Sequence, residues 1–290
     1  MGASAARRSD AIESIVNVIA RSAAEIRQGL VGRRGAVEAE NPSGEVQMEA
    51  DVWADGILRR RLSAIDGVAQ YASEEEPDVF ECGDIEEGFA VAVDPLDGSS
   101  NLQSNNTMGT IFGVYDQPLP APGRSLVTAG FVLYGPIITM AVATEEGVSE
   151  YELSGGERTL ITDDLTLPGD PVVFGFGGRA QHWPPAIESY VETIRTELKL
   201  RYGGAMIGDV NQVLSYGGIF AYPTLETHEN GKLRLQFEGN PIGYVLEQAG
   251  GRSSDGTQSL LDVEATELHQ RTPVYVGSTE YVNRLEASLE

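Results

Sequence analysis

Five apolar residues, Phe89 to Val93, run without interruption into Asp94-Pro95-Leu96-Asp97-Gly98-Ser99-Ser100-Asn101. Such a run reads as a buried strand, and here it delivers two carboxylates three residues apart into a turn. The Gly-Ser-Ser that follows offers backbone N–H groups and hydroxyls where a helical turn can start, which suits an anion. The pattern predicts a metal site beside an anion cradle. A bare D-P-x-D-G also suits a plain turn, because Asp, Pro and Gly are turn formers.

Around that strand the chain reads as a mixed α/β protein. Ile12, Ile15, Val16, Ile19, Ala23 and Ile26 recur at helical spacing, with Ser9 or Asp10 as N-cap and an end near Gly29. Gly32 to Gly44 reads as a loop, and a second helix is predicted from Asp51 to Leu62. Strands are predicted at Val68–Ala72, Phe89–Val93, Gly109–Tyr115, Leu126–Tyr134 and Ile137–Thr144, the last three as an antiparallel meander. The second half reads as a strand at Val172–Phe176, a helix from Pro185 to Leu198 and another from Ile207 to Tyr216. Strands at Gly218–Tyr222 and Lys232–Phe237 follow, then a helix from Ile242 to Ala249 closed by Gly250-Gly251. The expected architecture is alternating layers of helices and mixed sheets. The Leu167-Pro168-Gly169-Asp170-Pro171 shift divides residues 1–167, expected to hold metal and phosphate, from 168–290, expected to hold the sugar phosphate.

Charge narrows the partners. Forty-four acidic against 20 basic residues leave a formal net charge of −24, spread along the chain, so nucleic acid is repelled. Only Lys199 and Lys232 are lysines. Lysine depletion beside acid excess resembles proteins of haloarchaeal cytoplasm, where salt screens self-repulsion. No apolar stretch is long enough to cross a bilayer, and the N-terminus does not read as a cleaved leader, so the expected address is cytoplasmic. Cys82 is the single cysteine and is expected to be a small buried hydrophobe.

Two further acidic groups accompany the Asp94/Asp97 pair: Glu74-Glu75-Glu76 after a strand-like run, and Glu45 through Asp51 before the second helix. Glu74 to Glu76 also suit a solvated charge run. Hard divalent cations need several oxygen ligands, and strand-end carboxylates supply them. Asp209 and Asn211 read as N-capping residues. His182, His228 and His269 share no metal spacing and, with Trp53 and Trp183, are expected to pack or lie at the surface.

The D-P-L-D-G-S-S-N element with its upstream S-E-E resembles class I fructose-1,6-bisphosphatases, within the wider lithium-sensitive sugar and inositol phosphatase superfamily. Gly109-Thr-Ile-Phe-Gly113, Tyr216-Gly-Gly-Ile-Phe-Ala-Tyr-Pro223, Asn230-Gly-Lys-Leu-Arg-Leu235 and Phe237-Glu-Gly-Asn-Pro241 follow in the family's order. The resemblance implies a layered αβαβα fold and Mg²⁺-dependent hydrolysis of the 1-phosphate of fructose 1,6-bisphosphate, with two or more Mg²⁺ and Mn²⁺ as a substitute. It implies metal ligands at Glu74, Glu75, Asp94, Leu96 through its carbonyl, Asp97 and Glu238. Glu45 and Asp51 match an acidic loop that closes over the metals, and Asp51 and Glu75 are the candidates to take a proton from the attacking water. Asp97, Gly98, Ser99 and Ser100 would hold the phosphate being cleaved. Tyr202, Tyr222 and Lys232 would hold the other phosphate and the sugar, and Arg201 would reach a neighbouring subunit of a homo-oligomer. Sedoheptulose 1,7-bisphosphate, inositol monophosphate and a silent sugar-phosphate sensor are the alternatives. Gly88 and Asp116 stand where AMP-inhibited relatives carry basic residues, which argues against AMP control. Phe176 and Arg179 replace polar residues near the second phosphate, so that pocket is expected to be rebuilt around arginine.

Overall fold

The first helix is longer than its apolar stripe. In the computed structural model, which describes residues 2–42, 44, 46–86 and 88–290 (residues 2–5 and 38–40 by backbone alone), α1 spans Gly2–Gly29. The helix-favouring Ala and Arg residues ahead of Ser9 carry it upstream of the expected cap. Ile15, Ile19, Ala23 and Ile26 are at most 1% exposed, so the stripe is the buried face. The segment expected to be loop contains β1 (Ala36–Glu40), which pairs antiparallel with β2 (Val46–Met48). Helix α2 (Glu49–Leu62) follows directly.

Next come β3 (Val68–Ser73), β4 (Phe80–Glu81), β5 (Phe89–Asp97), β6 (Met108–Tyr115), β7 (Leu126–Tyr134), β8 (Ile138–Thr144), β9 (Gly147–Ser154) and β10 (Glu157–Thr162). They form one eight-stranded sheet in the order β10-β9-β8-β7-β6-β5-β3-β4. The meander is as the sequence predicts, and β9 and β10 extend it. Within it, among the described residues, only β3 and β5 run parallel, with Ser73 beside Val93, so both strands end at one edge.

The remainder supplies β11 (Val173–Phe176), α3 (Pro185–Ile194), β12 (Lys199–Leu200), α4 (Met206–Tyr216), β13 (Gly218–Tyr222) and β14 (Leu233–Arg234). After these come α5 (Asn240–Gln248), β15 (Arg252–Ser254), β16 (Arg271–Thr272), β17 (Val274–Gly277) and α6 (Thr279–Leu289). A five-stranded mixed sheet runs β12-β11-β13-β17-β15, and β14 pairs with β16. The strand expected across Lys232–Phe237 stops at Arg234; Leu235–Gly239 coil into a π-helical turn instead.

Side-chain alternation assembles the layers. Val91 and Val93 on β5 pack with Ile15, Ile19 and Leu58 of α1 and α2. Ala90 and Ala92, on the other face, belong to a second cluster with Val210 of α4 and Ile242 and Val245 of α5, and that cluster also holds Val173, Phe220 and Val276 of the second sheet. That sheet's outer face, Phe174, Phe176 and Tyr275, is covered by Ile187 of α3 and Leu285 of α6. The result is the expected αβαβα stack.

Candidate active site

Parallel pairing of β3 and β5 brings Glu74 and Asp94 together, and the π-helical turn adds Glu238 from the other half of the chain. Carboxylate oxygens of these three lie within 4.8 Å of one another, and the residues are 7%, 4% and 2% exposed. Asp94 accepts a hydrogen bond from the Leu96 N–H at 2.9 Å. Glu238 accepts the Arg234 N–H at 2.6 Å. Burial, then the neighbouring carboxylates with Glu74 foremost, pushes Asp94 and Glu238 well above the usual range.

The sequence reading gave Arg234 no role. Its guanidinium is buried, forms an ion pair with Glu74 at 2.9 Å and lies 3.8 Å from Glu238. One cation therefore faces a cage that also includes Asp94. The available signal was a lone charge between Leu233 and Leu235, which must be paired wherever such an apolar stretch is buried.

Asp97, Glu75 and Leu96 line the same cleft. Asp97 Oδ2 accepts the Ile207 N–H of α4 at 2.7 Å, yet burial still raises its pKa to about 7. Glu75 is pushed up to about 8 by burial, with Glu74 and Asp51 adding repulsion. Gln47, another residue without an assigned role, donates to the Glu75 carboxylate at 2.7 Å and to its carbonyl at 3.1 Å. Asp51, in the first turn of α2, lines the cleft and accepts the Met48 N–H at 2.8 Å. Glu45 lies outside the described residues. His269 donates to the Glu76 carbonyl at 2.9 Å, tying the acidic turn to the C-terminal half.

Gly98, Ser99 and Ser100 form the cleft's next wall. Gly98 has φ +77°, and a Cβ there would lie 2.2 Å from that of Ala205, so only glycine fits. Asn101 closes the turn by donating to the carbonyls of Thr107 and Gly203 at 2.8 and 2.9 Å. Asp209 does not cap α4. Its carboxylate reaches back to the Gly203 N–H at 2.8 Å, ordering the segment that bears Tyr202.

Tyr202, Tyr222 and Lys232 line the same cleft. Lys232 Nζ stands 5.9 Å from the Tyr222 ring centre and helps hold the Asp97 carboxylate ionised. Arg201 is exposed and not among the cleft-lining residues, and neither is Arg179. Phe176 is buried edge-on against Trp183. Trp183 donates to the Gly177 carbonyl, and Trp53 stacks under Arg33, both packing roles. Cys82 is only partly buried, unlike the expected core residue.

An all-oxygen, buried and mutually repelling donor set fits a hard divalent cation, which would replace the protons such carboxylates otherwise bind. The sign of the pH effect follows. Glu75, Asp97 and Asp209 have folded pKa values of about 8, 7 and 6 against ordinary values of 4.5, 3.8 and 3.8. Between these limits the folded chain holds protons that the unfolded chain has lost. Stability of the chelated protein is expected to fall as pH rises from about 4 to about 8, and the Tm increment on adding Mg²⁺ is expected to grow over the same window. Thermal melts with and without chelator, at constant high KCl, measure it; an increment independent of pH would refute the cage.

A buried cage that fits a hard cation, beside a glycine-led turn with two hydroxyls, is the kind of site that metal-dependent phosphatases carry. The model of the "Fructose-1-6-bisphosphatase, N-terminal domain" matches residues 9–163, and that of the C-terminal domain matches 167–290. The chain belongs to the fructose-1,6-bisphosphatase family. It is 59% identical to the class 1 fructose-1,6-bisphosphatase of Natronomonas pharaonis, over 97% of this chain and 99% of the relative. It is 56% identical to that of Halobacterium salinarum, over 97% and 98%. These haloarchaeal relatives fit the acid-rich, lysine-poor composition. A crystal structure of Leishmania major fructose-1,6-bisphosphatase in holo form superposes with a TM-score of 0.87 at 30% identity, covering 97% of this chain and 93% of that one.

Proposed function

We propose that this cleft hydrolyses fructose 1,6-bisphosphate to fructose 6-phosphate and phosphate, with Mg²⁺, or Mn²⁺ in its place, as the cation. The observation that carries this reading is the cleft's lining: a buried carboxylate cage and, in the same cleft, a half-buried lysine in a chain that has only two. A cation-holding cage and a separate basic side chain suit two phosphates on one sugar.

Glu74, Asp94, Asp97, Glu238, Glu75 and the Leu96 carbonyl would hold two or more cations. Bound there, they would offset the phosphate's negative charge and acidify water. Gly98, Ser99 and Ser100 cradle the 1-phosphate with N–H groups and hydroxyls. Asp51 and Glu75, which line the same cleft, are the candidates to take the proton of the attacking water, with Glu45 as a third. As the water oxygen bonds to phosphorus, the bond from phosphorus to the sugar's O1 breaks, and O1 leaves with a proton. Lys232, as a compact cation, caps the second phosphate, and Tyr202 and Tyr222 flank the sugar. Residues 1–167 and 168–290 act as two subdomains in this reading, a division supported by the first sheet ending at Thr162 and the second beginning at Lys199 and Val173. Gluconeogenic service in the cytoplasm, and a homo-oligomer in which Arg201 reaches a neighbouring site, complete the proposal.

Phosphate release from fructose 1,6-bisphosphate, sedoheptulose 1,7-bisphosphate and inositol 1-phosphate, side by side in high KCl with Mg²⁺, tests it. Fructose 1,6-bisphosphate is expected to be preferred. Preference for inositol 1-phosphate, or no turnover of any of the three, would overturn it. Lys232→Met should raise KM for the bisphosphate about 10- to 100-fold, the loss of one charged hydrogen-bonding group of roughly 1.5–3 kcal/mol, and leave inositol 1-phosphate turnover nearly unchanged.

A further inference from the structure

Behind the cage lies a buried polar chain that the proposed chemistry does not use. Asp55, one helical turn beyond Asp51 on α2, accepts a hydrogen bond from the Tyr71 hydroxyl of β3 at 2.8 Å. Ser73 lies two residues further along the same strand and, by the alternation of side chains, on the same face as Tyr71. Ser73 Oγ in turn accepts the Glu75 N–H at 3.2 Å. Asp55, Tyr71 and Ser73 are 4%, 1% and 0% exposed. The elements it joins are the two that carry the cleft's acids: α2 with Asp51, and the β3 end with Glu74 and Glu75.

A carboxylate and a phenol inside an apolar layer cost desolvation that a leucine pair would not. Packing alone therefore does not account for them. The energetically cheaper link between the same elements also exists, because Arg59 of α2 pairs with Glu76 at 2.7 Å where both side chains are more than a third exposed. That surface pair leaves the turn's inner side free to move, whereas the buried chain ends on the Glu75 backbone itself.

From this geometry we infer that Asp55, Tyr71 and Ser73 form a positioning relay that sets the acidic turn against α2, fixing Glu74 for the cation and Glu75 opposite Asp51. The inference rests on the reading of those acids given above. Groups that orient ligands from behind are worth about 10- to 100-fold in metal affinity or activity. Tyr71→Phe and Asp55→Ala cut the relay, Asp55→Asn keeps an acceptor for the phenol, and Arg59→Met removes the surface pair alone.

Calorimetric titration of each metal-free variant with Mn²⁺, with no substrate present, is the primary readout; kcat and KM for fructose 1,6-bisphosphate are the second. Tyr71→Phe and Asp55→Ala are expected to weaken Mn²⁺ binding about tenfold and to lower kcat by about 10- to 100-fold with KM within about twofold. Asp55→Asn should restore both to within about threefold, and Arg59→Met should leave both as in the parent. Where Tyr71→Phe fails to fold, Ser73→Ala breaks the relay at its far end and is read the same way. Parental Mn²⁺ affinity and kcat in a relay variant with lowered Tm, or equal losses in Arg59→Met, would overturn the inference. A parent that binds Mn²⁺ but ignores fructose 1,6-bisphosphate would overturn the substrate, while the titration series still decides the relay.

Discussion

Asp97→Asn is expected to lower kcat about a thousandfold and leave the fold intact. The two halves of that statement come from different oxygens. One Asp97 oxygen accepts the Ile207 N–H that starts α4, and an amide oxygen does so nearly as well, so the contact between the two halves of the chain survives. The negative charge, however, disappears from the wall between the cage and the Gly98 turn. Charge neutralisation by bound metal is worth several kcal/mol at a phosphoryl transition state, and about 4 kcal/mol corresponds to three decades in rate. Phosphate release at saturating Mg²⁺, with a parallel urea melt, gives both numbers. A variant that keeps a tenth or more of the parental kcat would remove Asp97 from the machinery.

Arg234→Met carries the largest expected loss of stability, about 3–5 kcal/mol in chelated protein, the range for breaking a buried ion pair by deleting one partner. Arg234 is buried among Glu74, Glu238 and, through Glu74, Asp94. Without it the carboxylates must protonate or repel, and burial leaves them no water to share the charge. Added Mg²⁺ should recover part of the loss, since a cation in the cage then supplies the missing charge. Urea unfolding midpoints with chelator and with Mg²⁺ measure both effects, and an unchanged midpoint in chelator would show that Arg234 does not balance the cage.

What could be read from the sequence was whatever announces itself locally. The apolar Phe89–Val93 run with its acidic end, the Ile15/Ile19/Ala23/Ile26 stripe and the meander all depend on neighbours within a few residues. Ends that depend on tertiary pairing were not readable. β1 forms because β2 lies beside it, and β9 and β10 carry polar residues such as Glu150 and Glu152 on half-exposed faces, which blurs a period of two. Resemblance placed Glu238 in the site, but its route into the cage, a π-helical turn after a two-residue strand, has no local signature. Arg234 and Gln47 were missed for the same reason: their partners, Glu74 and Glu75, are distant in sequence. Asp209 was misassigned because a helix-start carboxylate ordinarily caps its own helix, whereas here the preceding Gly203 turns its N–H toward it.

Parallel pairing of β3 with β5 also sets an order of events. Glu74 and Asp94 meet as soon as those neighbouring strands join, but Glu238 and the compensating Arg234 enter from near the other end of the chain. A chain emerging from the ribosome therefore presents Glu74 and Asp94 before Arg234 and Glu238 have been made. Contacts of such long sequence separation form late. A cage of Glu74, Asp94 and Glu238 is thus complete only once the chain has been made as far as Glu238.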